Sequence, residues 1–333
     1  MMLYRFVEHV YGGCATVKSN NTFMESNFKG AEGERKQKYV DFLTNGGFKA
    51  FFGDENNKMG VMTIINELLP NHRKVVEIEY LPTEHQGPIL GHSKEFRYDF
   101  SCKDASGAIF IVEMQRYYEK AWFKRCISYA SRAYDKQNKT GDDYDVPPVY
   151  LIGLMGVRID HPDKEFWKNR YVSEYTFREK DCHDLLGETI VVIFAELADF
   201  NKTEDECITR QDRMLYLLKN CGKLNVPPKW SEQEKYTEIL DACYIDDFAE
   251  DKLKTYQKDM YDEKRRIGEL AAARENGLTE GMEKGMEKGM EKGIEIGRKE
   301  SAIETAKNLK SEGISLEIIS KATGLPMEEI ERL

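Results

Sequence analysis

The sequence holds no apolar run approaching the roughly 20 residues that a membrane-crossing helix requires. Its first residues, Met1-Met-Leu-Tyr-Arg-Phe-Val-Glu-His9, turn polar before a signal-peptide core could form, so a soluble, cytoplasmic protein is expected. No Cys-x-x-Cys pair occurs among the seven cysteines (Cys14, Cys102, Cys126, Cys182, Cys207, Cys221 and Cys243), which read as reduced, mostly structural thiols. Cys182-His183 is the lone Cys/His neighbour pair, and without a second it makes no zinc framework. An excess of positive charge is also missing: 49 Lys and Arg stand against 59 Asp and Glu, a formal net charge of −10. Such a chain does not coat nucleic acid through bulk attraction. A site built from carboxylates, which takes its local positive charge from a bound metal, is still compatible with it.

What is present is enough apolar side chain, 41% hydrophobic with 11% aromatic, to build a packed interior. At 333 residues the chain exceeds one average domain, so one sizeable core with appended segments is expected. Residues 1–36 read as an irregular extension, 37–228 as the core, 229–311 as a helical extension, and 312–333 as a small helix-turn-helix-like tail. Glycine, methionine, glutamate and lysine repeat through the extension, at Gly281-Met-Glu-Lys, Gly285-Met-Glu-Lys and Gly289-Met-Glu-Lys. A four-residue period advances 40° beyond each helical turn, so these rows wind around a helix. With glycine costing about 1 kcal/mol per position relative to alanine, the segment either packs closely on another helix or frays as a linker. In the tail, Gly324 stops one helix and Pro326 starts the next. Its acidic second helix (Glu328, Glu329, Glu331) suits protein contact better than phosphate contact.

Within the core, Met59–Leu69 has helical spacing and stops at Pro70. Val75–Leu81 and Glu95–Ser101 alternate as strands; in the latter, Phe96, Tyr98 and Phe100 share one face while Arg97 and Asp99 share the other. Asp104-Ala-Ser-Gly107 is a turn, and Ile109–Gln115 completes a hairpin. A helix follows from about Glu119 to Asn138, with Trp122, Cys126, Tyr129 and Ala133 on one stripe. Pro148–Met155 and Thr189–Leu197 are nearly continuous apolar runs, suited to a sheet covered on both faces. An α/β core with helices on a mixed sheet follows.

The chemistry lies in the hairpin. Ile109, Ile111, Glu113 and Gln115 share one face of their strand, so Glu113 is a carboxylate in apolar company. Closure around residues 104–107 sets Asp99 opposite residue 112, give or take one, placing the two acids roughly 5–8 Å apart. Two ionised carboxylates that close repel one another, and a hard divalent cation resolves the conflict. Such an ion lowers the pKa of a bound water and stabilises charge on a phosphodiester oxygen. The other reading open to the hairpin is that both acids are solvated, or paired with Arg97 and Arg116.

Residues from about 38 to 150 resemble the transposase-associated branch of the PD-(D/E)XK nucleases, the recombination-promoting nucleases. Lys38-Tyr-Val-Asp-Phe-Leu-Thr-Asn-Gly-Gly-Phe-Lys-Ala-Phe-Phe-Gly-Asp-Glu-Asn-Asn-Lys58 is similar to that family's opening segment. Asn66-Glu-Leu-Leu69 is similar to its first helix, and Arg97-Tyr-Asp99 with Ile111-Val-Glu-Met-Gln115 to its two site strands. Phe123, Arg125, Tyr129, Gln137, Gly141 and Tyr144 follow at the expected places. The resemblance implies a restriction-endonuclease-like α/β core: a helix, a three-stranded antiparallel meander, a helix and further strands.

By position it also implies that Asp99 and Glu113 are metal ligands and form the catalytic set with Gln115. Gln115 stands where the wider superfamily has the lysine of Glu-x-Lys; its amide can orient a water or phosphate oxygen but brings no charge. Asn66 and Glu67 compete for the place of an acid from the first helix, and Glu67 is taken as a third metal ligand. Asn45 stands where relatives commonly have Asp. Arg125, Tyr129 and Arg132 share a helix face and would contact nucleic acid; the alternative for Arg125 and Tyr129 is a snorkelling arginine beside a core tyrosine. The expected function is a Mg²⁺- or Mn²⁺-dependent DNA endonuclease linked to recombination or mobile elements. The alternatives are a catalytically weak or inactive relative, serving as a DNA-binding or self-associating scaffold that forms homo-oligomers through the glycine repeat, and a protein-interaction module.

Overall fold

The computed structural model describes residues 16–17, 37–85, 96–138, 144–233 and 236–333. The expectation of an irregular segment over 1–36 lies outside the described residues, apart from Thr16–Val17, which pairs with Ile159–Asp160. Helix α1 (Asn45–Phe52) starts at Thr44, whose hydroxyl oxygen accepts the Gly47 N–H at 3.0 Å. Helix α2 (Lys58–Leu68) ends one residue short of the Leu69-Pro70 step, as proline requires. The sheet strands are β1 (Ile78–Tyr80), β2 (Phe100–Asp104), β3 (Ile109–Gln115), β4 (Val149–Met155), β5 (Val172–Tyr175) and β6 (Ile190–Ala195). Between β3 and β4 lies α3 (Trp122–Asp135); α4 (Arg210–Asn220) and α5 (Tyr236–Cys243) follow β6.

The strands form one mixed sheet in the order β1-β2-β3-β4-β6-β5. Its first three strands are an antiparallel meander; β3, β4 and β6 run parallel, with α3 as the crossover from β3 to β4. Both faces are covered. Phe100, Phe110, Val112, Ile152 and Ile193 pack into a core that also takes side chains of α1, α2, α4 and α5. Ile111, Leu151 and Phe194 pack on the other face with Trp122, Cys126 and Ala130 of α3. Every residue of β4 is buried, which is why Val149–Met155 reads as an unbroken apolar run.

Two strands differ from expectation. Along Val75–Leu81 the strand itself covers only Ile78–Tyr80, with the Leu81 N–H still donating to the Ser101 carbonyl at 2.9 Å. At Val75 the Asn66 amide takes the backbone instead, donating to its carbonyl and accepting from its N–H, both at 2.8 Å. The strand expected over Glu95–Ser101 is broken: Phe96–Arg97 pairs with Glu84–His85 in a separate ribbon, and sheet pairing resumes only at Phe100. Tyr98 therefore packs on the α3 side, 5.3 Å from the Tyr129 ring, while Phe100 packs on the other side beside Phe52 and Tyr80. A sheet covered on both faces can host an aromatic on either side, so strict alternation does not hold across the break.

The core extends past 228. Tyr236, Ile239, Leu240 and Cys243 of α5 are buried in it, and one compact unit ends at Glu263. Helix α6 (Glu250–Ser311) is continuous for 62 residues. The second unit, Lys264–Leu333, carries the rest of α6 with α7 (Leu316–Thr323) and α8 (Met327–Glu331), closed by Ala306, Ile319, Leu325 and Ile330. Gly324 takes φ 74° at the end of α7. The glycine repeat is regular helix rather than a frayed linker, with open space at each of Gly277, Gly281, Gly285, Gly289, Gly293 and Gly297. Among the described residues no helix is long and apolar enough to cross a membrane.

Because α5 and Glu263 belong to the core, a chain ending at 263 is expected to unfold in one cooperative transition. A chain ending at 228, which leaves the α5 side of the core open, is expected to show none; thermal melts followed by circular dichroism compare the two.

Candidate active site

The hairpin turn sets the site. Asp104 Oδ1 accepts the N–H groups of Ser106 (2.9 Å) and Ala108 (3.1 Å), and Gly107 supplies the positive φ of 84° that closes the turn. The resulting register pairs Phe100 with Val112, and continuing it by one step brings Asp99 to Glu113. At that step β2 has not yet begun, and side chains take over from the ladder. The Asp99 N–H donates to Glu113 Oε1 at 3.0 Å, and the Met114 N–H donates to Asp99 Oδ2 at 2.9 Å. Each carboxylate is thus held by the other's strand. Among the described residues no hydrogen bond reaches the second oxygen of either acid.

Neither acid is taken by a neighbouring arginine. Arg97 pairs with Glu84 at 2.8 Å, while Arg116 donates to the Leu43 carbonyl and to buried Glu263 at 3.2 and 3.3 Å. Glu263 also accepts the Asn45 N–H at 2.8 Å, so Asn45 contributes to α1 through its backbone. Gln115 is buried; its amide nitrogen donates to the Tyr117 carbonyl and its Oε1 accepts from Arg125 Nη2 at 3.1 Å. Arg125 also pairs with Glu119 and lies over the Trp122 ring, 4.7 Å from its centroid, with Tyr129 at 5.8 Å. Tyr129 and Arg132 are half-buried on α3.

Glu67 is not brought to the pair. Its helix packs on the sheet face opposite the one from which Glu113 projects. Its neighbour Asn66 is bonded to Val75, and nearby Arg73 pairs with Asp104 at the turn end of the hairpin, whereas Asp99 and Glu113 lie at the other end. Among the described residues no group of three or more His, Cys, Asp or Glu side chains is gathered to hold a metal.

A family model for PD-(D/E)XK nuclease family transposases matches residues 39–269. The chain belongs to that family. No curated protein and no solved structure matches it. Membership supports a nuclease-like function, and the mixed sheet with its flanking helices is a restriction-endonuclease-like fold. The match, like the compact unit that ends at Glu263, reaches past α5.

Nucleases of this family typically use divalent metal ions, and the electrostatics of the pair test whether these residues fit one. Glu113 is only 2% exposed; burial, then the charge of Asp99, push its pKa well above the ordinary carboxylate range. The Asp99 N–H and Arg125 oppose the rise, and Glu119 adds to it. Burial of its carboxylate also raises Asp99, against the Met114 N–H and the charges of Arg125, Lys49 and Arg97. The Asp99 residue still keeps an exposed surface, so water moderates its shift and Glu113 bears the greater strain. Two hard oxygens with raised proton affinity, each on a carboxylate whose other oxygen is fixed, suit a small divalent cation. Asp99 and Glu113 would hold it. Sequence reasoning missed Glu119 as a member of this site: it read only as the first residue of a helix, and its partner Arg125 lies six positions on.

Without metal, folded Glu113 binds its proton more tightly than the unfolded chain does. The contribution of Glu113 to stability is therefore greatest below the ordinary glutamate pKa and declines as pH rises from there through the raised folded value. Glu113→Gln keeps the acceptor for the Asp99 N–H and removes the charge. It is expected to raise the melting temperature at pH 8 by about 2–4 °C for each kcal/mol relieved, with little change at about pH 4. Mn²⁺ is expected to raise the wild-type melting temperature but not that of the variant.

Proposed function

We propose that the chain is a Mg²⁺- or Mn²⁺-dependent endodeoxyribonuclease acting in recombination or on mobile elements in the cytoplasm. The observation that carries this reading is the Asp99–Glu113 pair, in which each acid is clamped by a main-chain N–H and retains one oxygen. A bound ion would supply an activated water and charge stabilisation at a phosphodiester oxygen. Asp99 and Glu113 bind the ion; burial of Glu113 keeps bulk water from that side. Gln115, its amide held at both ends, presents a fixed dipole and moves no proton. Arg125, Tyr129 and Arg132 offer a face of α3 to DNA phosphates, with local positive charge offsetting a net acidic chain. Glu67 has no part in the set that this reading requires.

A second reading, a self-associating scaffold without catalysis, is favoured by the methionine row of α6. Met282, Met286 and Met290 are 68%, 75% and 68% exposed, an unusual cost unless another surface covers them. Homo-oligomerisation through this helix is compatible with either reading.

Purified protein is expected to nick supercoiled plasmid only with Mg²⁺ or Mn²⁺, and Asp99→Asn is expected to lower the rate by at least about 100-fold. Absence of metal-dependent nicking together with no heat of Mn²⁺ binding in calorimetry would favour the scaffold. Light scattering is expected to give a larger particle for the full chain than for one ending at 263; equal masses per chain would remove the repeat helix from assembly.

A further inference from the structure

The chemistry of the site needs a cation that its strands do not provide. Negative charge grows on the phosphodiester oxygens as the bond is cleaved, and the hairpin offers two acids and a neutral amide. Three other nearby basic side chains are directed to partners away from the pair: Lys49 to Asp259 at 3.6 Å and Arg97 to Glu84, both through solvent-exposed pairs, and Arg116 to buried Glu263 and the Leu43 carbonyl. Arg125 differs from these three in bonding a residue of the Glu113 strand itself, through Gln115. It projects from α3, the helix on the same sheet face as Glu113, and its charge lowers the proton affinity of both Asp99 and Glu113.

Its surroundings are asymmetric. On the inner side the guanidinium rests over Trp122, a fully buried ring, and donates to Gln115, which is 7% exposed. On the outer side it pairs with Glu119, and here both side chains meet water, Arg125 being 32% and Glu119 37% exposed. An inner hydrogen bond to a packed amide persists, whereas an outer ion pair in contact with solvent is readily exchanged. The guanidinium carries five N–H donors in a flat fork shaped for two oxygens of a carboxylate or a phosphate, and among the described residues its Nε has no partner.

We propose that Arg125 contacts the phosphate to be cleaved, and that Glu119 is its internal counter-anion, displaced when that phosphate arrives. Gln115 and Trp122 keep the fork aimed while the anion on its outer edge changes. Glu119 thereby holds a cation in place beside two acids in the free protein, and competes with DNA for it. The assignment rests on the nuclease reading for its chemistry, but the exchange of anions is a property of binding and can be read without cleavage.

The test uses the full chain and a short DNA duplex in Ca²⁺, with affinity from fluorescence anisotropy, beside nicking in Mg²⁺ and calorimetric titration with Mn²⁺. Arg125→Met is expected to weaken duplex binding and to lower kcat by about 100-fold, with Mn²⁺ binding retained. Arg125→Lys, which keeps the charge and loses the fork, is expected to fall between them. Glu119→Gln is expected to tighten duplex binding by about threefold, and the gain is expected to vanish in the Arg125→Met background. The proposal is overturned by an equal gain in both backgrounds, which would be bulk charge, by no gain at all, or by wild-type kcat in Arg125→Met and Arg125→Lys. Coupled binding without nicking under any divalent ion would remove the nuclease reading and leave the exchange standing. A wild-type chain that binds no duplex overturns both.

Discussion

Two carboxylates held together by reciprocal main-chain hydrogen bonds are the constraint on which the rest of the site depends. The Asp99 and Met114 N–H groups each satisfy an acid from the opposite strand, so the bonds that would continue the sheet ladder instead orient side chains. That exchange is possible because sheet pairing stops where it does. The ribbon through Arg97 leads elsewhere, β2 begins only at Phe100, and the residue between the buried aromatics Tyr98 and Phe100 is left free to turn its carboxylate toward Glu113.

Holding Glu113 in this place costs stability. A buried acid beside another acid is a poor arrangement for a fold and a useful one for a cation site. The surroundings offset part of the cost through one backbone donor and one arginine, not through a salt bridge that would consume the acid. Arg97 and Arg116, the neighbours in sequence best placed to neutralise the pair, are both engaged elsewhere, Arg116 by Glu263 from the start of α6. The first turns of α6 therefore belong to the core, since they supply the buried carboxylate that also receives the N-terminus of α1.

Beyond Glu263 the chain follows other rules. In the core, helices are held by apolar faces against a sheet, and α5 is part of that packing although it lies in a stretch dense in charge. In the repeat of α6, among the described residues, the glycines have open space beside them and Met282, Met286 and Met290 are exposed, so helix formation there draws on backbone bonding and on i, i+4 pairs such as Glu280–Lys284. A helix kept regular at six glycines gains stability when something covers it.

Much of this was legible in the amino-acid order alone. Periodicity placed α2, β3, α3 and β4, and the Asp104–Gly107 turn signal was enough to bring Asp99 within a step of Glu113, because hairpin register follows from turn geometry. The resemblance in Arg97–Asp99 and Ile111–Gln115 pointed to the same two strands. What local sequence could not decide was which neighbour each group would choose. Nothing near Asn66 says that its amide will occupy Val75, nothing near Tyr98 says that the strand breaks there, and nothing near Arg116 points to an acid 147 residues away. Those choices are made by long-range packing on two covered sheet faces, where burial and charge are set by residues that only the tertiary structure brings together. Glu67 shows this as well: its helix packs on the sheet face opposite the one from which Glu113 projects, a placement that only the folding of the whole sheet decides.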